Sequence, residues 1–271
     1  MAGNKLEILL SCMNQTDTEI VNKTRITGNA VIINQCDAEG YSETATEHGT
    51  ARMYSVTGRG LTKSRNLAIE RSQAEICQLC DDDEEFLPDY EEKIISAYDS
   101  LPDADVIAFK MSNRPPSFKD KVIRLRFPLT AKVSSWQISF RRQSLVRTGV
   151  RFDPLMGAGS GNGAEEELKF LTDCRKAKLK IYYVPYEIAS VAQSTSTWFA
   201  GFNEQFFRDR GNTTRYIMGL PLSVLYALYY VLTKRGMYSK YISPSAALKA
   251  TMSGIRENRL SKLSKQKGES L

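Results

Sequence analysis

Five acidic residues stand in a row at Asp81–Glu85, directly after the apolar run Ile76–Cys80. Such a run repels itself and is easiest to tolerate in solvent or around a cation. Two carboxylates at i and i+2 in an extended turn, here Asp81 and Asp83 with Asp82 between them, can converge on one hard divalent ion. Mg²⁺ and Mn²⁺ take carboxylate and phosphate oxygens and are commonly held by one or two carboxylates plus a substrate diphosphate. A solvated turn is the alternative reading. A second acidic run, Glu165–Glu167, follows the Gly-rich stretch Gly157–Gly163 and opens an apolar-periodic segment; acidic residues favour any helix N-terminus because of the macrodipole. Cys77 and Cys80 make a single C-x-x-C with no second pair downstream. On a strand they point to opposite faces and read as buried thiols.

The elements that must position these residues follow from the apolar pattern. Leu6–Cys12, Ala30–Asn34, Arg52–Val56, Ile76–Cys80, Val106–Lys110 and Lys180–Val184 read as strands, with Val122–Phe127 and Ser134–Phe140 as later ones. Leu61–Arg71, Tyr90–Leu101 and Ala164–Cys174 read as helices, and the polar residues 38–50 as a loop. Strands alternating with helices predict an α/β domain with a mostly parallel sheet. Ligands bind such sheets beyond the carboxyl ends of the strands, which is where Asn34–Asp37 and Asp81–Asp83 lie. Gly157–Gly163 is not in the first β-α turn and lacks the acidic residue of a dinucleotide fingerprint.

In order along the chain, LEILLSC, IINQCD, GRGLTKSRNLAI, CDDDEEFLPDY, SSWQISFRR and GAGSGNGAEEELKFLTDC resemble the family 2 glycosyltransferases of the GT-A fold found in bacterial polysaccharide synthesis. The resemblance covers roughly residues 5 to 210. It implies a Rossmann-like central sheet flanked by helices, and inverting transfer of a sugar from a nucleotide-sugar donor, a UDP-sugar foremost, with Mn²⁺ or Mg²⁺ as cofactor. The acceptor it implies is a glycan or lipid-linked glycan of the cell surface. By position, Asp81 faces the donor nucleotide, Asp82 fills the variable place of the D-x-D, and Asp83 binds the metal. Asn34, Gln35 and Asp37 match the strand end near the nucleobase or ribose, and Arg65 and Asn66 the segment closing over the nucleoside. Gln193 stands where relatives carry a further metal-binding His. The base that takes the acceptor proton belongs to the Glu run: counting back from Phe170-Leu171 favours Glu167, and counting forward from Gly163 favours Glu166. Gly161 of the Gly-rich loop, Glu165, Trp136 and Trp198 are acceptor- or sugar-side candidates. For both tryptophans, packing is the alternative.

The bulk numbers bound these readings. The 271 residues carry a net charge of +6. From Thr233 onward there are nine Lys/Arg against two Glu, a surplus of seven, so residues 1–232 carry −1. The predicted division is a glycosyltransferase domain over 1–215 and a helical basic extension over 216–271. The apolar Met218–Leu232 is short for a membrane span. Beside Lys234-Arg235 it reads as a peripheral contact with a membrane interface or as a core or dimer-contact helix. No nucleic-acid motif accompanies the basic residues. Five cysteines without a secretory signal fit a cytoplasmic setting, at the inner membrane face if the extension binds there. A nucleotidyltransferase and a membrane-surface scaffold are the competing functions.

Overall fold

The structure is a computed structural model, and it describes residues 4–162, 165–192 and 201–268. The chain divides into two compact units, Met1–Pro154 with Glu166–Ser194, and Leu155–Glu165 with Thr195–Leu271.

The first unit contains strands β1 (Leu6–Met13), β2 (Asn29–Gln35), β3 (Gly40–Ala45), β4 (Thr50–Val56), β5 (Ile76–Asp81), β6 (Glu84–Phe86), β7 (Val106–Met111), β8 (Ile123–Arg124), β9 (Ile138–Arg141) and β10 (Ile181–Val191). Its helices are α1 (Ile20–Thr24), α2 (Leu61–Arg71), α3 (Tyr90–Ser100), α4 (Arg142–Thr148) and α5 (Glu166–Lys176). The strands form one sheet in the order β3-β4-β2-β1-β5-β9-β7-β10-β6, with β8 beside β10. β1, β2, β4 and β5 run parallel, as do β7 and β10; β9 is antiparallel to both β5 and β7, so these six strands share one direction. The continuous apolar runs of β1, β2 and β5 are those of strands covered on both faces. Leu6, Ile8, Leu10 and Cys80 join Tyr90, Ile94 and Tyr98 of α3 in one core. Leu9, Cys77 and Leu79 join Ile69 of α2 and Phe170 of α5 in the other. Cys77 and Cys80 therefore do face opposite sides of the sheet.

Four local expectations change. Within the predicted loop 38–50, Gly40–Ala45 is an edge strand antiparallel to β4. It is largely exposed, so it lacks the apolar alternation that would mark it. In the expected strand Ser134–Phe140, Ser135–Gln137 form a 3₁₀ turn before β9, held where Gln137 Nε2 donates to the Phe109 carbonyl at 2.6 Å. The strand expected at Val122–Phe127 shrinks to Ile123–Arg124. The last strand continues past Val184 to Val191, through register shifts around Pro185 and Glu187, as proline requires where it cannot join the ladder.

The second unit contains α6 (Glu204–Met218), α7 (Leu220–Thr233), α8 (Arg235–Tyr238), α9 (Pro244–Glu257) and α10 (Arg259–Gly268). The polar stretch Asp209–Arg215, read as the end of the main domain, is the interior of α6, and the predicted boundary at 215/216 falls inside that helix. Its small and polar residues are buried because α6 and α9 nearly touch. A Cβ on Gly211 would sit 2.0 Å from the Thr251 carbonyl oxygen, and one on Gly254 1.9 Å from that of Arg208. Asn212 Oδ1 accepts from the Leu260 N–H at 3.2 Å, so burial leaves this oxygen partnered. Phe207, Tyr230, Tyr238 and Ala247 complete the core. Among the described residues no helix is long and apolar enough to cross a membrane.

Gly254→Val should force the two helices apart and destabilise the unit by at least ~1–3 kcal/mol, the usual cost of overpacking. A fall in the thermal midpoint of the full chain checks this; an unchanged midpoint would contradict so close a crossing.

Candidate active site

The parallel strands end together. Ser11 of β1 pairs in register with Asp81 of β5 and with Ile33 of β2, so Asn34, Gln35 and Asp81 rim one end of the sheet. Their side chains fasten neighbouring backbone. Asn34 Nδ2 donates to the Gln15 carbonyl at 2.8 Å while its Oδ1 accepts from the Gln15 N–H at 2.9 Å. Gln35 Oε1 accepts from the Gly60 N–H at 2.6 Å. Gly60 has φ +125°, a conformation suited to glycine, and α2 begins with the next residue. Asp37 is exposed and pairs with Arg59 at 2.5 Å.

The Ser64-Arg65-Asn66 segment of α2 fastens four parts of the chain. Ser64 Oγ donates to Ser11 Oγ at 2.8 Å. Asn66 Nδ2 donates to the Phe152 carbonyl at 2.8 Å, and the Phe152 N–H donates to Asn66 Oδ1 at 2.9 Å. Arg65, 1% exposed, reaches two carboxylates. Its Nη2 lies 2.9 and 3.1 Å from the two Asp81 oxygens, and its Nη1 lies 3.1 Å from Glu166 Oε1. The guanidinium also lies 5.5 Å from the centroid of the Phe152 ring, which stacks on Phe170 at 4.2 Å. Burial works against the charge, but Asp81 and Glu166 outweigh it and push the guanidinium pKa above its ordinary value. One buried cation thus joins the end of β5 to the first turn of α5. Glu167 is the next residue of that turn.

Beyond Asp81 the chain reverses through Asp82 and Asp83 into β6, which pairs with β10. Glu84 closes the turn, its Oε1 accepting from the Asp81 N–H at 2.7 Å, while its buried Oε2 has no hydrogen-bond partner among the described residues. Burial first, then the charges of Asp81 and Asp83, push the Glu84 carboxyl well above the usual range. Burial and the charges of Asp81 and Asp83 also raise Asp82, against a lowering by Lys23, whose Nζ donates to the Asp82 carbonyl at 2.7 Å. Among the described residues no group of three or more His, Cys, Asp or Glu is arranged to hold a metal ion.

Asp81, Arg65 and Glu166 therefore meet directly, with Asp82, Asp83 and Glu167 adjoining them in the chain. Arg65, expected to close over the nucleoside, is buried and pairs with Asp81, expected to face the nucleotide. Trp136 is half-buried against the core with the Arg114 guanidinium 5.8 Å from its ring centroid; its neighbour Ser135 donates to Asp81 Oδ2 at 3.4 Å. Gly161 and Glu165 belong to the second unit. The loop closes on itself where the Gly157 N–H donates to the Asn162 carbonyl at 2.9 Å, Gly161 having φ +83°, and Glu165 pairs with Arg210 at 3.0 Å. Gln193 and Trp198 lie outside the described residues. Sequence reasoning missed Ser135, Phe152 and the buried Glu84. Only Glu84 left a signal, since it stands two residues before the apolar Phe86 and so shares its strand face.

Solved structures share this fold. The chain is similar to S. aureus TarS 1–349 in complex with UDP-GlcNAc, at TM-score 0.57 and 13% identity over 83% of this chain and 66% of that one. It is also similar to the same protein in complex with UDP, at TM-score 0.53 and 15% identity over 76% and 63%. In both cases the chain spans less than two thirds of the structure it matches. No curated protein sequence matches the chain significantly. The model of the family described as Glycosyl transferase family 2 matches residues 6–156, more than half of the sequence and all of β1 through the Asp81–Glu85 run, and the chain belongs to that family.

Proposed function

We propose that this family 2 glycosyltransferase moves a sugar, with inversion, from a nucleotide-sugar donor to a glycan or lipid-linked glycan acceptor of the cell surface. The observation that carries the reading is the Asp81–Arg65–Glu166 link, which draws the acidic strand end and the acidic helix start into one site. That similar structures are complexes with UDP-GlcNAc and with UDP supports a UDP-sugar as donor.

Glu166 is buried against Arg65 while Glu167 is partly exposed, which supports Glu167 as the group that takes the proton of the acceptor hydroxyl. The hydroxyl oxygen then forms its bond to the anomeric carbon as the bond to the diphosphate breaks on the opposite face. No covalent enzyme intermediate is required. Arg65 keeps α5 and the β5 end in register, so that the base and the donor end of the site hold their geometry.

The hard oxygen donors of the Asp81–Asp83 turn fit Mn²⁺ or Mg²⁺, which needs only one or two protein carboxylates when a diphosphate supplies the rest. Asp83 would hold it, with Asp82 beside it. When bound, such an ion supplies charge neutralisation of the departing diphosphate.

The direct experiment incubates the full chain with UDP-GlcNAc and Mn²⁺ and measures the products. Release of UDP is expected; release of pyrophosphate would mark a nucleotidyltransferase instead. Glu167→Gln should lower turnover ~10²–10⁴-fold. Glu166→Gln should instead destabilise the fold by ~1.5–3 kcal/mol, because Arg65 loses a charged buried partner while keeping Asp81. Activity surviving in Glu167→Gln would remove that residue from the role of base. Asp83→Asn should abolish the Mn²⁺-dependent part of the heat of UDP binding in calorimetry, and an unchanged heat would refute the metal assignment.

A further inference from the structure

The second unit carries a surface that glycosyl transfer does not explain. Fourteen large apolar side chains are exposed among the described residues, and nine of them lie between Leu220 and Leu263. Most are on α7. Leu222, Leu225, Leu228, Tyr229 and Leu232 are 42, 62, 42, 53 and 74% exposed. At about 100° per residue these five fall within an arc of about 120°. Ser223, Ala227, Tyr230 and Val231, the buried residues of the helix, occupy the other side. A surface helix of a globular protein turns polar side chains outward; α7 turns leucines. Met237 at 56% and Tyr241 at 72% exposure follow in the next two turns of chain.

The charges beside this face have one sign. Between Asp209 and Glu257 the sequence contains no acidic residue. Lys234, Arg235 and Lys240, all exposed, stand at and just beyond the C-terminal end of α7. A second copy of the chain laid on this face would offer these cations no carboxylate from the same segment. An anionic lipid surface answers all three, and its acyl layer takes the leucines. The geometry also fixes the depth. The 14 residues of α7 span ~21 Å, short of the ~30 Å hydrocarbon core, so the helix lies in the interface rather than across it. Exposed tyrosines at the edge of an apolar stripe suit the headgroup level.

We propose that α7 and the basic segment after it form a docking face for an anionic phospholipid bilayer, with Leu225, Leu228 and Leu232 entering the acyl boundary and Lys234, Arg235 and Lys240 meeting lipid phosphates. Vesicle binding as a readout does not depend on which sugar is transferred.

The test is co-sedimentation of the full chain with vesicles of phosphatidylglycerol and phosphatidylcholine, against vesicles of phosphatidylcholine alone. The wild-type protein should bind the anionic vesicles and be released as salt rises. Leu225→Ser with Leu232→Ser should weaken binding about tenfold or more, and so should Lys234→Ala with Arg235→Ala. Both pairs are exposed, so circular dichroism and thermal midpoint should match the wild type. Wild-type protein that stays with the supernatant, or binding equal in all variants, would overturn the proposal. So would a wild-type dimer in sedimentation velocity that Leu225→Ser with Leu232→Ser converts to monomer, because a second copy would then be what covers the leucines.

Discussion

A guanidinium buried to 1% exposure is tolerable only while its charge is answered, and at Arg65 two carboxylates from distant parts of the chain do this. Without them a charge would be stranded in a nonaqueous setting, at a cost of ~3–5 kcal/mol. The sequence is therefore held to a geometry in which α2, the end of β5 and the first turn of α5 meet. The ring of Phe152 under the guanidinium and the Asn66 clamp on its backbone add a fourth element to the same point. Everything proposed about donor binding and proton transfer depends on that meeting.

Much of this frame is legible in the sequence. The apolar runs of β1, β2 and β5 announce themselves because both sheet faces are covered, and the acidic turn is conspicuous because it follows one of them without a spacer. What does not show is how the charges are shared. Asp81, Asp83, Glu166 and Glu167 are of one chemical type, and spacing alone cannot say which of them a cation 16 or 101 residues away will engage. The same residue types could have met a nucleotide, and the resemblance to known enzymes assigned them so. Arg65, Asn34, Gln35 and Asn66 do internal work in the structure: they hold the loops around the site.

The misread elements share a physical reason. Polar composition signals solvent only where burial is costly, and α6 makes burial inexpensive by pairing Asn212 and Thr214 with backbone groups and by bringing two helix backbones together at Gly211 and Gly254. The edge strand β3 shows the reverse case, regular structure without burial and hence without an apolar period. In α7 the pattern inverts again, since its apolar residues are on both sides and sequence hydropathy cannot separate the side that meets α6 and α9 from the side that meets water.

The central claim is that Arg65 couples the strand end to the helix start, and a double-mutant cycle on unfolding free energy measures that coupling directly. Arg65→Met and Glu166→Gln should each destabilise the full chain, and the double variant should cost less than the two together by ~1.5 kcal/mol or more, as expected of residues in one buried charge network. Costs that add to within ~0.5 kcal/mol would mean that the two residues act independently, and that the acidic turn and the helix start are not held together by this cation.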